Sequence, residues 1–478
     1  MFNDPLPFGT VAYFLSEWAV RLAMLFWVPM RRSPEAAKGW LLLIFILPWP
    51  GLLLYGLIGR PYVPRFRKER FHKLRKALQP VAQRLAENPH IFHPKMAAEL
   101  EASVLLAERI GKLPILGGNA VQFLPDYDSS LFKLAADIDT ALDHVHLMYY
   151  IFCADEATEP IVAALERAAA RGVTCRVLAD ALGSRKSHGP LFARLRAAGV
   201  ACHTMLDASL LRPGRGRTDL RNHRKLAIID GRVGHAGSQN LVRADFKQGI
   251  TNVEMVARVT GPVVVALQFV FAGDWYLESE EMIDEPRYFP EPLLAGEAAV
   301  QVLASGPMFA PQGNQRLLVS LIHGARERVV ITTPYFIPDE PLFTAIKIAV
   351  LRGVKVHLIL SKQEDQFLVA RAQQSYYEEL LDAGVKIHLF YGGFLHAKYV
   401  TIDDEAAFIG SSNLDIRSFV LNAEISLIVY DHEAARALQR EQEKYMQLSV
   451  LLTLEVWARR SVLTKYTQNV ARLMSPLL

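Results

Sequence analysis

Asn222-His-Arg-Lys-Leu-Ala-Ile-Ile-Asp230 and Leu395-His-Ala-Lys-Tyr-Val-Thr-Ile-Asp403 carry one pattern, His-x-Lys-x4-Asp, twice in a single chain. Gly237-Ser-Gln-Asn240 follows the first copy and Gly410-Ser-Ser-Asn413 the second, at the same offset. One such pattern arises by accident often enough to be discounted; two with the same sequel do not. Each copy reads as a short apolar strand, on which alternate side chains share a face. His223 and Lys225 therefore point one way and Arg224 the other. His396 and Lys398 repeat this, with Ala397 turned away.

The surroundings of the two copies repeat as well. His144–Phe152 reads as a strand, Pro160–Arg171 as a helix, Arg171–Leu178 as a second strand, and a further helix ends at Ala198-Gly-Val200. In the second half Arg328–Phe336, Pro341–Leu351, Arg352–Leu360 and Ala383-Gly-Val385 follow in the same order. Strand-helix-strand units of this kind predict an α/β fold with a parallel-rich sheet covered by helices. Two equivalent halves pack as a pseudo-dimer, and a site on their axis receives the same residues from both. The link from Val200 to His223 is about twice as long as that from Val385 to His396, and it contains Leu210-Leu-Arg-Pro-Gly-Arg-Gly-Arg217. This basic insertion is either a contact for anionic lipid headgroups or a solvated surface loop.

The residue types suit phosphodiester transfer. A phosphodiester is anionic and has a poor alkoxide leaving group, so attack needs charge neutralisation, a nucleophile and a proton donor. Lys225 and Lys398 supply charge to the non-bridging oxygens; Asn240 and Asn413 add neutral donors, and Ser238 and Ser411 do the same or brace the loop. One imidazole attacks phosphorus to form a phosphohistidine; the other protonates the leaving alcohol and deprotonates the incoming one. A carboxylate is needed to fix each ring's tautomer, and Asp230, Asp403, Glu254 and Glu424 are the candidates. With two lysines beside the two histidines no metal or other cofactor is required.

The first sixty residues read differently. Hydrophobic residues make up 51% of the chain, and two apolar stretches account for much of this near the N-terminus. The first, Phe8–Met30, contains Glu17 and Arg21, which share a helix face four residues apart; the second, Gly39–Gly59, has no charge. About 20 apolar residues span a bilayer, so both stretches qualify as an uncleaved anchor. Met1–Pro7 has Asp4 and no basic residue, unlike a signal peptide. The basic run from Arg60 to Lys76 places the remainder of the chain on the cytoplasmic side. Arg31, Arg32 and Lys38 in the intervening loop oppose a two-span topology, and Pro48, Pro50 and Gly51 favour a re-entrant hairpin as the rival. A net charge of +4 gives no global field for nucleic acid. Cys153, Cys175 and Cys202 form no CxxC pair and read as small buried side chains.

The paired motif resembles that of the phospholipase D superfamily, and in detail the chain is similar to its bacterial cardiolipin synthases. Leu47-Pro-Trp-Pro-Gly51, Gly59-Arg60, Thr333-Pro-Tyr-Phe336, Gly392-Gly-Phe-Leu-His396, Asn413-Leu-Asp-Ile-Arg-Ser418 and Ser475-Pro-Leu-Leu478 carry the finer likeness. The resemblance implies two phospholipase D-like α/β halves behind a two-segment helical anchor. The expected divisions are 1–62 anchor, 63–112 basic helical linker, 113–290 first half, 291–450 second half and 451–478 basic amphipathic helix. It implies transfer of a phosphatidyl group between two phosphatidylglycerol molecules at the bacterial inner membrane, giving cardiolipin and glycerol. His223 is then the nucleophile, His396 the acid/base, and Lys225, Lys398, Asp230 and Asp403 complete the two motifs. Phosphatidylglycerol and other anionic lipids are the expected partners, nucleic acid is not, and oligomeric state has no signature in the sequence. A hydrolase or a transferase using another alcohol is the alternative.

Overall fold

The computed structural model describes residues 8–32, 34–59, 64–206, 220–310 and 312–475. The inserted loop Leu210–Arg217, Arg60 and the last three residues lie outside them. Among the described residues, 15 strands join in one sheet. Its central pair is Leu116–Leu124 against Ala298–Ser305, antiparallel. Outward from the first run Val256–Thr260, Val233–Gly237, Leu226–Ile229, His144–Tyr149, Thr174–Asp180 and Ala201–Met205. Outward from the second run Glu424–Tyr430, Ala406–Gly410, Tyr399–Ile402, Arg328–Thr332, Lys355–Ser361 and Lys386–Phe390. The order is the same from either end, which is the signature of a pseudo-two-fold axis through the central pair. Ser449–Leu452 adds one antiparallel strand at the second-half edge.

The expected parallel-rich sheet requires correction. Within this sheet, parallel pairing is confined to the strand-helix-strand units, such as His144–Tyr149 with Thr174–Asp180 and Arg328–Thr332 with Lys355–Ser361. The motif strands Leu226–Ile229 and Tyr399–Ile402 pair antiparallel on both sides. The cause is local: each runs into a tight hairpin at an aspartate in the left-handed region, Asp230 at φ 53° and Asp403 at φ 48°, and tight hairpins make antiparallel partners. The largest apolar cluster crosses the axis. It joins Leu226, Ile228 and Ala257 of the first half to Tyr399, Ile425 and Leu427 of the second, around the helix Val263–Ser279.

The N-terminal expectation also changes. The first apolar stretch is the helix Phe8–Trp27, with Glu17 and Arg21 paired at 3.3 Å. The second is broken at Leu47 into Pro34–Ile46 and Pro48–Ile58, of 13 and 11 residues. Proline lacks the N–H that would continue the helix, so each piece rises only about 15–20 Å against a ~30 Å hydrocarbon core. No helix among the described residues is long and apolar enough to cross a membrane. The three helices instead share a core of Val20, Met24, Val28, Ala37, Trp40, Ile44 and Tyr55. The next segment packs into the catalytic body: Leu74, Leu78, Val81 and Leu85 join its largest cluster, and Arg67 pairs with Glu278 at 2.5 Å. The C-terminal segment is a strand followed by two helices, Leu454–Ala458 and Val462–Leu473, docked through Arg472–Glu379 at 2.6 Å and Gln468–Gln374 at 3.0 Å.

The two hairpin aspartates brace this framework. Asp230 accepts the backbone N–H groups of Leu142, Asp143 and His144, each at 2.8 Å. Asp403 accepts those of Arg326, Glu327 and Arg328 at 3.0, 2.8 and 2.8 Å. Each carboxylate thus ties the entry of one strand to the end of the motif strand beside it. Asp403→Ala removes all three acceptors and leaves a Cβ-bearing residue in a left-handed turn, so stability falls by about 2 kcal/mol or more. A lower urea midpoint checks this; an unchanged midpoint contradicts it.

Candidate functional site

The two motif histidines come together through backbone pairing between the halves. His223 N–H donates to Ala423 C=O at 2.8 Å, and Ala423 N–H to Arg221 C=O at 2.9 Å. Reciprocally, His396 N–H donates to Val253 C=O at 2.8 Å, and Phe394–Leu395 runs parallel to Asn252–Val253. Each histidine therefore lies next to the residue that follows the paired segment in the other half. His223 Nδ1 is 3.1 Å from both carboxylate oxygens of Glu424, and His396 Nδ1 is 2.6 Å from Glu254 Oε1. The carboxylates are exchanged between the halves. Each accepts the hydrogen carried on Nδ1, which leaves Nε2 of each ring as the nitrogen available for chemistry.

Burial sets the charge states. Glu254 and Glu424 are 2% and 0% exposed. Burial works against their ionisation, but the ring and the lysine beside each hold both carboxyls below the usual range. Burial pushes His223 down, partly offset by Glu424, and pushes His396 down to about 4, partly offset by Glu254. The pairs are thus neutral imidazole beside carboxylate at neutral pH. Burial also lowers Lys225 to about 7 and Lys398 to about 8. Their ammonium groups donate to His223 C=O at 2.7 Å and His396 C=O at 2.6 Å.

The serines of the two Gly-Ser-x-Asn sequels sit behind the glutamates. Ser411 Oγ donates to Glu424 Oε2 at 2.5 Å and accepts the Ile425 N–H at 3.0 Å. Ser238 Oγ accepts the Met255 N–H at 3.0 Å and donates to the Met255 C=O at 3.2 Å, while Glu254 Oε2 is buried without a hydrogen-bond partner. Asn240 and Asn413 line a cavity of about 340 Å³ together with His223 and His396. Asn240 Oδ1 accepts the Ile151 N–H at 3.1 Å, and the Asn413 Oδ1 is buried without a partner. Asp230 and Asp403 are not brought to the rings; they lie at the far ends of the motif strands, roughly 20 Å along the chain from each histidine. Of the four carboxylates considered for tautomer control, the two glutamates occupy that place.

Several lining residues escaped the motif reading. Tyr150 meets His223 edge-on with ring centroids 5.0 Å apart, and Lys225 Nζ lies 5.5 Å from the same ring. Lys247 of the first half pairs with Asp365 of the second at 2.8 Å across the cavity, and Tyr335 donates to that Asp365 at 2.7 Å. Arg221 is 3% exposed and gives Nη1 to Asp180 at 3.2 Å. It was within reach of the period-two rule, since it stands two residues before His223, although the strand itself begins only at Leu226. No cluster of three or more metal-ligating side chains occurs among the described residues.

Glu254 holds the His396 ring closer to its ordinary value than burial alone would. Glu254→Gln removes that negative charge, so the ring's titration moves further down from about 4. An NMR pH titration of the ring resonances in detergent checks this; an upward move contradicts it.

Comparison with known proteins fits this geometry. The family described as "Cardiolipin synthase, PLD-like domain" matches residues 134–275 and 318–446. "Cardiolipin synthase A" of Proteus mirabilis (strain HI4320) is 34% identical over 97% of this chain and 98% of its own. "Cardiolipin synthase A" of Yersinia pseudotuberculosis serotype O:3 (strain YPIII) is 36% identical over 94% of each chain. The crystal structure of phosphatidylserine synthase from Haemophilus influenzae Rd KW20 superposes with a TM-score of 0.61, covering 78% of this chain and 99% of that one; at 15% identity it shows a shared fold. With the family matched over more than half of its length and relatives a third identical from end to end, the chain belongs to the phospholipase D-like cardiolipin synthase family.

Proposed function

We propose that this protein transfers a phosphatidyl group from one phosphatidylglycerol to the headgroup hydroxyl of another, giving cardiolipin and glycerol. The observation that carries the reading is the exchanged pair of His–Glu contacts, which presents two Nε2 atoms from two halves to one cavity. Full-length likeness to chains named cardiolipin synthase supports the substrate. His223 is the nucleophile. Its neutral Nε2 attacks phosphorus, the bond from phosphorus to the glycerol oxygen breaks, and His396 delivers a proton to that oxygen. His396 then takes the proton of the incoming hydroxyl, whose oxygen attacks phosphorus and breaks the P–N bond.

An arriving phosphodiester adds negative charge between the halves and favours protonated His396, Lys225 and Lys398. Lys225, Lys398, Asn240 and Asn413 then neutralise the non-bridging oxygens. The helices Phe8–Trp27 and Pro48–Ile58 expose Phe14, Leu22, Phe26, Leu53 and Leu57. Together with the basic helix Arg65–Ala77, this supports a hairpin seated in the cytoplasmic leaflet of the bacterial inner membrane rather than a pair of spans. On this reading residues 1–62 anchor, 113–290 and 291–450 build the site, and the segments between and after them pack around it.

Protein purified in detergent converts phosphatidylglycerol to cardiolipin and glycerol with metals chelated; phosphatidic acid as the only product contradicts the synthase reading. In His396→Ala, a phosphatidyl ester of p-nitrophenol needs no acid for departure of its leaving group. It therefore leaves an acid-labile phosphatidyl adduct on His223, detected by mass spectrometry. An adduct formed on His396 in His223→Ala instead reverses the two roles.

A further inference from the structure

A second cavity, of about 920 Å³, lies beside the segment Leu220–Arg224 that leads into the first motif strand, and it is larger than the histidine cavity of about 340 Å³. Phe71, Leu78, Leu113, Val270, Leu277 and Phe309 contribute apolar walls. His72, Arg75, Lys76 and Lys112 stand at its edge and have no carboxylate partner among the described residues. The two carboxylates on its wall are already used, Asp274 by Arg224 and Glu278 by Arg67. The charge left over is positive, and the walls are those of a hydrocarbon site.

The two cavities meet at Arg221, which lines both. Arg221 is 3% exposed, and its Nε and Nη2 are buried without a hydrogen-bond partner. Leaving two guanidinium donors unsatisfied in a buried place is costly. Asp180 takes the third nitrogen, Nη1, so the guanidinium edge carrying the two parallel donors Nε and Nη2 is left unpaired, and that edge has the geometry that matches a phosphate.

The pseudo-two-fold makes this feature informative. At the equivalent places in the second half, Arg221 is replaced by Phe394, which stacks on His396 with centroids 5.9 Å apart. Asn222 and Arg224 are replaced by Leu395 and Ala397, both 0% exposed in the packed core. Among the described residues, the arginine and the two polar side chains after it therefore stand on one side of the axis only. A site whose catalytic groups are duplicated needs such a difference if two lipids are to take different parts.

We propose that the larger cavity seats the acyl chains of the acceptor phospholipid, with Arg221 holding that lipid's phosphate. Its headgroup hydroxyl then faces the phosphorus carried by His223, two residues along the chain from Arg221. A three-carbon bridge between two phosphates is the product such a placement makes. This rests on the synthase reading above and assigns the acceptor within it. Attack by the acceptor hydroxyl forms its O–P bond, breaks the P–N bond and passes the hydroxyl proton to His396; without a seated lipid, water takes the same path and gives phosphatidic acid.

The test uses the full chain in mixed micelles of phosphatidylglycerol and measures the ratio of cardiolipin to phosphatidic acid. Two variants approach the site differently: Arg221→Ala removes the phosphate contact, and Gly273→Leu fills the cavity. A Cβ at Gly273 meets only Leu74 Cδ2, at 3.5 Å, so the helix accepts it. In both variants the ratio falls about tenfold or more, and the KM for phosphatidylglycerol as acceptor rises. A wild-type ratio in either variant overturns the proposal while leaving the synthase reading in place. Failure of the unaltered protein to make any cardiolipin overturns both.

Discussion

Two glutamates with almost no solvent exposure each meet an imidazole contributed by the opposite half, and the rest of the molecule is arranged so that they do. A carboxylate buried to this degree is tolerated only with partners on its oxygens. Glu424 has the His223 ring, Ser411 and the Asn422 amide; Glu254 has the His396 ring on Oε1 and the charge of Lys398 nearby. Separating the halves would leave both glutamates without rings and both rings without tautomer control. The exchange therefore makes the catalytic unit indivisible, in the way that a domain-swapped dimer is.

The palindromic sheet is what delivers this exchange. Its central antiparallel pair fixes the axis, the motif strands lie at equal depth on either side, and the short segments 221–223 and 394–396 reach across to pair with the other half. The motif aspartates act at the opposite ends of those strands, holding the hairpins that set strand register. The motif thus has two ends: the histidine lines the cavity with the lysine ammonium on its backbone carbonyl, and the aspartate at the other end fixes the framework.

Much of this was legible because the code is short-range. Period-two alternation placed His223 with Lys225 and His396 with Lys398, and the repeated order of strands and helices implied the two halves. The exchange of Glu254 and Glu424 was not legible, since spacing along the chain says nothing about which half a residue faces. The antiparallel pairing of the motif strands depended on left-handed turns at Asp230 and Asp403, which sequence alone does not mark in residues other than glycine and asparagine. The apolar stretch Gly39–Gly59 had the length of a span, but Pro48 divides it; composition outweighed the backbone in that expectation. Arg221 lay on the readable face, but it stands outside the repeated pattern, so the repeat gave it no weight.

The indivisibility of the site is tested most directly by comparing cardiolipin formation in His223→Ala, His396→Ala and the double variant. One shared site predicts that each single change lowers the rate by about 10³-fold or more and that the double change adds almost nothing, as for groups that act as a unit. If each single variant instead keeps about half the activity and only the double variant loses it, the halves work independently and the shared site is wrong.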